Sequence, residues 1–248
     1  MDRGATPGFK VNIEDQARAF LAANPDLRVT ALGPRENLAE IEDPWGIPLQ
    51  RWPAEDHLDR CLDYLALNRQ AFPTLPLAGW VLSDIYLLSG AIAILARGDQ
   101  IQAAWVGLPL KPGYRLGVSL LSTQPGLGAW AKSFGAAMFK AEVLRGVVQW
   151  SGQSLRAHTR LGPLRIVGQI PGEHEVGGFV YETVLDPEGW ALAMQRRHPM
   201  RATEIVDVSD SERLNAIVQR SAAGERWFVV PPGIDEGKVG LRHESGVQ

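Results

Sequence analysis

The stretch from Leu116 to Phe134 constrains this chain more than any other. Leu116-Gly117-Val118-Ser119-Leu120-Leu121-Ser122 is apolar and β-leaning. Thr123-Gln124-Pro125-Gly126-Leu127-Gly128 is a glycine-bearing turn, and Ala129-Trp130-Ala131-Lys132-Ser133-Phe134 continues in a helical pattern. The first N–H groups of a helix have no partner inside it, and the helix dipole makes that end mildly positive. Glycine lets the main chain approach a ligand closely and accepts positive φ. Strand, turn and helix together form a cradle suited to a phosphate or pyrophosphate. An ordinary tight turn also carries glycines at this spacing, so the elements around it matter.

Those elements alternate. Gly146 to Trp150 reads as a short apolar strand, and Ser151 to Gly162 as a capped helix stopped by a glycine. Leu164 to Gln169 and Phe179 to Leu185 are further strands. At this point the chain resembles the general-control-related N-acetyltransferase superfamily. That family carries Arg/Gln-x-x-Gly-x-Gly/Ala between its fourth strand and third helix. Thr123-Gln124-Pro125-Gly126-Leu127-Gly128 fits, with Thr123 where Arg or Gln is usual. The family's Asn-x-x-Ala/Ser, followed by a Tyr and Leu-Gly-Phe, is matched by Ser151-Gly152-Gln153-Ser154, His158 and Leu161-Gly162-Pro163. His158 stands at the Tyr position.

The resemblance covers residues 46–186, which divides the chain into an N-terminal extension (1–45), an acyltransferase-like domain (46–186) and a C-terminal extension (187–248). It implies an α+β fold: a mixed, mostly antiparallel sheet of about six strands flanked by helices. The periodicity agrees with this. Asn12 to Asn24 has helical spacing, and a second helix from Glu55 places Leu58, Cys61, Leu62 and Leu65 on one face. Ala91 to Ala96 and Ile101 to Leu108 form a hairpin around Arg97-Gly98-Asp99-Gln100, and Lys111-Pro112-Gly113-Tyr114 makes the next turn.

Composition excludes several classes. A net charge of −3 lacks the basic excess of a nucleic-acid binder, so no nucleic-acid partner is expected. The single cysteine, Cys61, excludes a disulfide framework. The five histidines show no metal-ligand spacing. Met1 to Gly8 lacks the apolar core of a signal peptide, which leads to a cytoplasmic expectation. Gly79 to Ala96 approaches membrane-spanning length but contains Asp84, so it reads as a helix followed by a buried strand.

The resemblance also implies a chemistry. The cofactor would be acetyl-CoA or another acyl-CoA, and the acceptor a small-molecule or peptide amine; a homodimer is among the assemblies it admits. Backbone groups of Gln124, Gly126, Leu127, Gly128 and Ala129 would hold the pyrophosphate, with Ser151 opening the following helix. Leu120, Leu121 and Ser122 would pair with the pantetheine. His158 would protonate the leaving thiolate, since imidazole is a competent acid near neutral pH. Residues 114–123 contain no carboxylate, so the base falls to Asp84, Glu182 or the Glu173-His174-Glu175 cluster. Its missing usual position keeps a second reading open: a non-catalytic binding or structural module of the same fold, such as a bacteriophage-associated one.

Overall fold

The computed structural model describes residues 12–33, 38, 41–71, 91–150, 154–170 and 177–244. They contain strands β1 (Leu27–Leu32), β2 (Ala91–Arg97), β3 (Gln100–Lys111), β4 (Tyr114–Ser122) and β5 (Val143–Gln149). These are followed by β6 (Leu164–Gly168), β7 (Gly178–Val184), β8 (Glu204–Asp207), β9 (Arg226–Asp235) and β10 (Lys238–Glu244). The helices are α1 (Ile13–Ala22), α2 (His57–Ala71), α3 (Leu127–Met138), α4 (Ser154–His158), α5 (Pro187–Met194) and α6 (Ser211–Ala222).

All strands join one sheet in the order β1-β2-β3-β4-β5-β7-β6-β9-β10-β8. The β4–β5 pairing is parallel; the others between strands are antiparallel. This is the expected mixed, mostly antiparallel α+β arrangement. Residues 46–186 supply β2 to β7, six strands as foreseen, whereas the sheet has ten among the described residues because those outside that span add β1, β8, β9 and β10. Helix α1 also meets α5: Gln16 Nε2 donates to the Ala191 carbonyl at 3.0 Å.

Local chemistry explains the element ends. Asn12 caps α1 by accepting from Glu14 N at 2.9 Å. Asp186 accepts from Gly189 N at the start of α5, where Pro187 occupies a position that needs no N–H. Asp210 caps α6, which buries Leu214, Ile217, Val218 and Ser221 along one stripe. Gly113, at φ +73°, makes the β3–β4 turn. Helix α2 departs from expectation: it buries Cys61, Tyr64 and Asn68, while Leu58 and Leu62 are 62% and 52% exposed. Of the apolar run Gly79–Ala96, residues 91–96 belong to β2 and the remainder lies outside the described residues. No helix among the described residues is long and apolar enough to cross a membrane.

Two layers of core cover the sheet. Helices α1, α3 and α5 bury Ala17, Phe134, Met138 and Trp190 against Leu27, Val29, Ala93 and Trp105. Helix α2 buries Cys61 and Tyr64 against Ile92, Ile94, Ala104 and Val106 on the other face. Helices α4 and α6 cover β5, β7, β6 and β9. Trp105 is fully buried in a slot whose walls are glycines: a Cβ would lie 2.5 Å from its indole at Gly107, 3.0 Å at Gly117 and 2.2 Å at Gly135. Burying such a ring contributes about 4–6 kcal/mol, from about 25 cal/mol per Å² over the area an aromatic covers. These glycines let α3 sit close to β3 and β4, which sets where its N-terminus emerges.

Candidate active site

Strand β4 begins paired on both sides. Towards β5 the register runs from Tyr114–Val143 to Gly117–Gly146 and stops there. Towards β3, Gly107 faces Gly117 but Val106 faces Ser119, so Val118 is an extra, bulged residue. A bulge bends a strand and increases its twist. It occurs where β4 and β5 part company, and from Val118 to Ser122 the β5-facing edge of β4 has no strand partner among the described residues. Five residues of open edge span about 16 Å at about 3.3 Å per residue. Main-chain donors and acceptors along such an edge can accept an extended ligand as a further strand.

The open edge leads into the glycine turn. Thr123 N donates to the Gln102 carbonyl at 2.8 Å, and Gln124 N donates to Ser122 Oγ at 3.2 Å. Ser122 Oγ also donates to the Gln124 carbonyl. Gly126 then takes φ +90° as the N-cap of α3, with no side chain to cap the helix, and a Cβ there would meet nothing within 4 Å. Gly128 is buried, and its Cβ position is 3.5 Å from Leu120 Cδ1 and from Ser122 Cβ. Leu127 and Ala129 are buried; Ser122, Gln124 and Gly126 are exposed. Leu120 packs towards α3 and Leu121 towards α2. The uncapped helix end thus sits at the top of the open edge, as an anion cradle requires.

At the other end of the opening lies a buried polar cluster. Lys132 Nζ of α3 donates to the Tyr181 hydroxyl of β7 at 2.9 Å and lies 2.7 Å from His158 Nδ1 of α4. The Tyr181 hydroxyl is 3.0 Å from the same Nδ1. Lys132 is fully buried, Tyr181 1% exposed and His158 7%. The cluster is tied to the vertex by Gly146, the last β5 residue paired with β4. A Cβ at Gly146 would fall 2.6 Å from the Tyr181 hydroxyl.

Burial sets the protonation states. Desolvation lowers Lys132 to about 7. His158 is pushed well below its ordinary 6.5, first by desolvation and then by the Lys132 charge. Burial raises Tyr181 above its usual range. Near neutral pH the imidazole and phenol are therefore uncharged, and Lys132 is the group that titrates. While Lys132 is an ammonium it has only donors, so in that state Nδ1 accepts and the His158 ring proton resides on Nε2. Near neutral pH the His158 ring is therefore not an imidazolium, and the proton it holds is that of a neutral N–H.

The structure separates the other candidates. Glu182 pairs with Arg145 at 3.2 Å. It follows Tyr181 on β7, so it points to the opposite face from His158. Asp84, Ser151 and the Glu173-His174-Glu175 cluster lie outside the described residues. A second polar network, missed from the sequence, sits on the α2 face of the open edge. Asn68 Nδ2 donates to the Tyr64 hydroxyl at 3.3 Å and to Ser119 Oγ at 3.2 Å. Lys132 was missed as well, although α3 is otherwise Leu, Gly, Ala, Trp, Ser, Phe and Met. A lone charge in a helix without a polar face is the signal that could have found it.

The glycine turn makes a testable contrast. Gly128→Ala should be tolerated, because its Cβ meets only ordinary contacts. Gly126→Ala must carry a side chain at φ +90°, which costs about 1–2 kcal/mol and pulls the turn out of shape. Gly126→Ala should therefore lower Tm by about 2–8 °C, and Gly128→Ala by less. A Gly126→Ala protein that melts with wild type would mean that the turn does not need the left-handed conformation of Gly126.

No protein-family model matches the chain, and no curated protein does either. Among solved structures, the chain is similar to an acyl-CoA N-acyltransferase from Pseudomonas aeruginosa at 13% identity and a TM-score of 0.44, over 64% of this chain and 99% of that one. It is similar to the aminoglycoside 6'-N-acetyltransferase from Enterococcus faecium at 9% identity and a TM-score of 0.43, over 55% and 96% of the two chains. It is also similar to yncA from Salmonella typhimurium, solved with its cofactor acetyl-CoA, at 11% identity and a TM-score of 0.40, over 52% and 90%.

Proposed function

We propose that this chain is an acyl-CoA-dependent N-acyltransferase, with acetyl-CoA the acyl donor and a small-molecule or peptide amine the acceptor. The observation that carries this reading is the open edge of β4, bounded by the Gly126 turn at one end and the Lys132–His158–Tyr181 cluster at the other.

The residues fit such a donor. Main-chain N–H groups of Gly126, Gly128 and Ala129 at the start of α3 would hold the pyrophosphate, while Leu127 N donates within the turn to the Gln124 carbonyl at 3.4 Å. The backbone of Leu120, Leu121 and Ser122 would pair with the pantetheine arm as an added strand. The donor supplies an acyl group activated as a thioester. Holding it along β4 would confine the reacting carbon beside the vertex, and positioning of this kind can account for much of an acyl transferase's rate. His158 holds a proton at Nε2, for the sulfur that departs. Tyr181 accepts from Lys132 and keeps the cluster dry and ordered. Glu182 faces away from the cluster, which favours one alternative: a module that binds acyl-CoA without transferring the acyl group.

Thermal denaturation with acetyl-CoA tests the binding. At a hundredfold excess over the dissociation constant, a ligand specific for the folded state contributes about 2.7 kcal/mol. For a protein of this size that corresponds to about 5–10 °C in Tm. No shift at millimolar acetyl-CoA would remove the proposal. A shift with no thiol release across a panel of polyamines, aminoglycosides and lysine-bearing peptides would support the non-catalytic module instead.

A further inference from the structure

The cluster holds a group that the acyl-transfer reading does not need. A neutral His158 could donate its proton alone, with water behind it. Instead its second nitrogen is met by an ammonium 2.7 Å away, fully buried and braced by a phenol at 2.9 Å. A lysine is a costly residue to bury, and replacing it with methionine would fill the same space without a charge. The three side chains come from α3, α4 and β7, so only the assembled fold creates the contact.

Resting on the acyl-transfer reading, we propose that Lys132 and His158 form a proton relay, in which Lys132 recharges the imidazole ring as it protonates a thiolate at the vertex of β4 and β5. The Nε2–H proton of His158 passes to the sulfur that keeps the electron pair of the broken C–S bond. In the same event a proton of the Lys132 ammonium passes to Nδ1. The ring stays neutral and ends with its proton on Nδ1, and Lys132 ends as a neutral amine. The attacking nitrogen, now bonded to the acyl carbon, loses its excess proton to water. After the thiol leaves, one proton from solvent restores the ammonium and the ring returns to its Nε2–H form. Lys132 acts through His158 and is a positioning residue.

The surroundings suit this role. Lys132, lowered by burial to about 7, is poised to give up and regain a proton near neutrality. The groups facing it are His158 from α4 and Tyr181 from β7. Arg160, in the turn after α4, donates instead to the Met194 carbonyl of α5. Arg145 of β5 pairs with Glu182 on the other face of the sheet. Lys111 stacks over Tyr114 at the β3–β4 turn, and Arg115 over Phe139 at the far end of α3. No carboxylate touches Lys132 among the described residues, so its proton is held only by the ring and the phenol.

The relay is tested first without any ligand. In wild-type protein below pH 7, where Lys132 is an ammonium, ¹⁵N spectra should show His158 as the neutral Nε2–H tautomer, and Lys132 should titrate near 7. An Nδ1–H tautomer, or a Lys132 that titrates in the ordinary lysine range, overturns the relay. The second test compares CoA and desulfo-CoA on wild type and Lys132→Met. Desulfo-CoA should bind both proteins alike, since the acyl-CoA grip lies in the α3 turn and the β4 edge. Bound CoA should carry about tenfold more thiolate at neutral pH in wild type than in Lys132→Met, read by its alkylation rate, which is one unit of thiol acidity. Equal alkylation rates with intact binding overturn the relay and leave the acyl-transfer reading standing. Failure of both proteins to bind either molecule overturns that reading itself.

Discussion

Wild-type stability should rise with pH across the neutral range, and Lys132→Met should abolish most of that rise. Lys132 is lowered to about 7 in the folded protein, against 10.5 when exposed. Between these values the unfolded chain binds more protons than the native one, so the free energy of unfolding increases with pH. The destabilisation is fully present below about pH 7 and gone above the unfolded value. Over the whole window it amounts to about 5 kcal/mol, at 1.36 kcal/mol per unit. About 2 kcal/mol of it falls between pH 7 and 9, where urea melts are practical. His158 adds in the same direction below 6.5, because its folded value is depressed and the unfolded chain protonates first. Lys132→Met removes the buried cation, and the Tyr181 hydroxyl can still donate to His158 Nδ1 across 3.0 Å. Parallel pH curves for wild type and Lys132→Met would show that the ammonium is not desolvated.

The slot around Trp105 should be equally intolerant. Gly135→Ala should lower stability by about 3 kcal/mol, the upper end for overpacking a core, or about 6–12 °C in Tm. The new methyl would lie 2.2 Å from Trp105 Cε3 and 2.9 Å from Ala93 Cβ. A rigid indole buried on every side cannot turn away, so α3 must lift from the sheet. That movement would also carry Lys132 and the α3 N-terminus with it. Trp105→Phe should recover part of the loss, and the two changes should be strongly non-additive because their atoms touch. Gly168→Ala is the control, since a Cβ there meets nothing within 4 Å at an ordinary φ. A Gly135→Ala protein as stable as the control would mean that α3 is not in contact with this ring.

Sequence alone determined what depends on neighbours along the chain. The strand into a glycine turn into a helix was legible from Leu116 to Phe134, because positive φ and a bare helix end are local requirements. The hairpin at Gly98 and the turn at Gly113 were legible for the same reason. Periodicity was half right on α2: of the face Leu58, Cys61, Leu62 and Leu65, Cys61 is buried and Leu65 packs against the core, whereas Leu58 and Leu62 are exposed and Tyr64 and Asn68 are buried instead. Which stripe is buried was decided by β2 and β3, across the contact.

Tertiary structure decided the rest. The bulge at Val118 exists only as an offset between β3 and β4, so no residue in β4 announces the opening of the edge. Glu182 was a reasonable base by composition, but strand alternation and the pairing with Arg145 turned it away from His158. Residues outside 46–186 gave no signal of joining the same sheet, because pairing between strands such as β6 and β9 is a choice among distant partners. Lys132 shows the limit most plainly. Its place in an apolar helix was readable, yet its meaning came from a histidine 26 and a tyrosine 49 residues away. Proton affinity in a protein interior is set by burial and by the partners that folding brings within 3 Å, and neither is a property of the chain read in order.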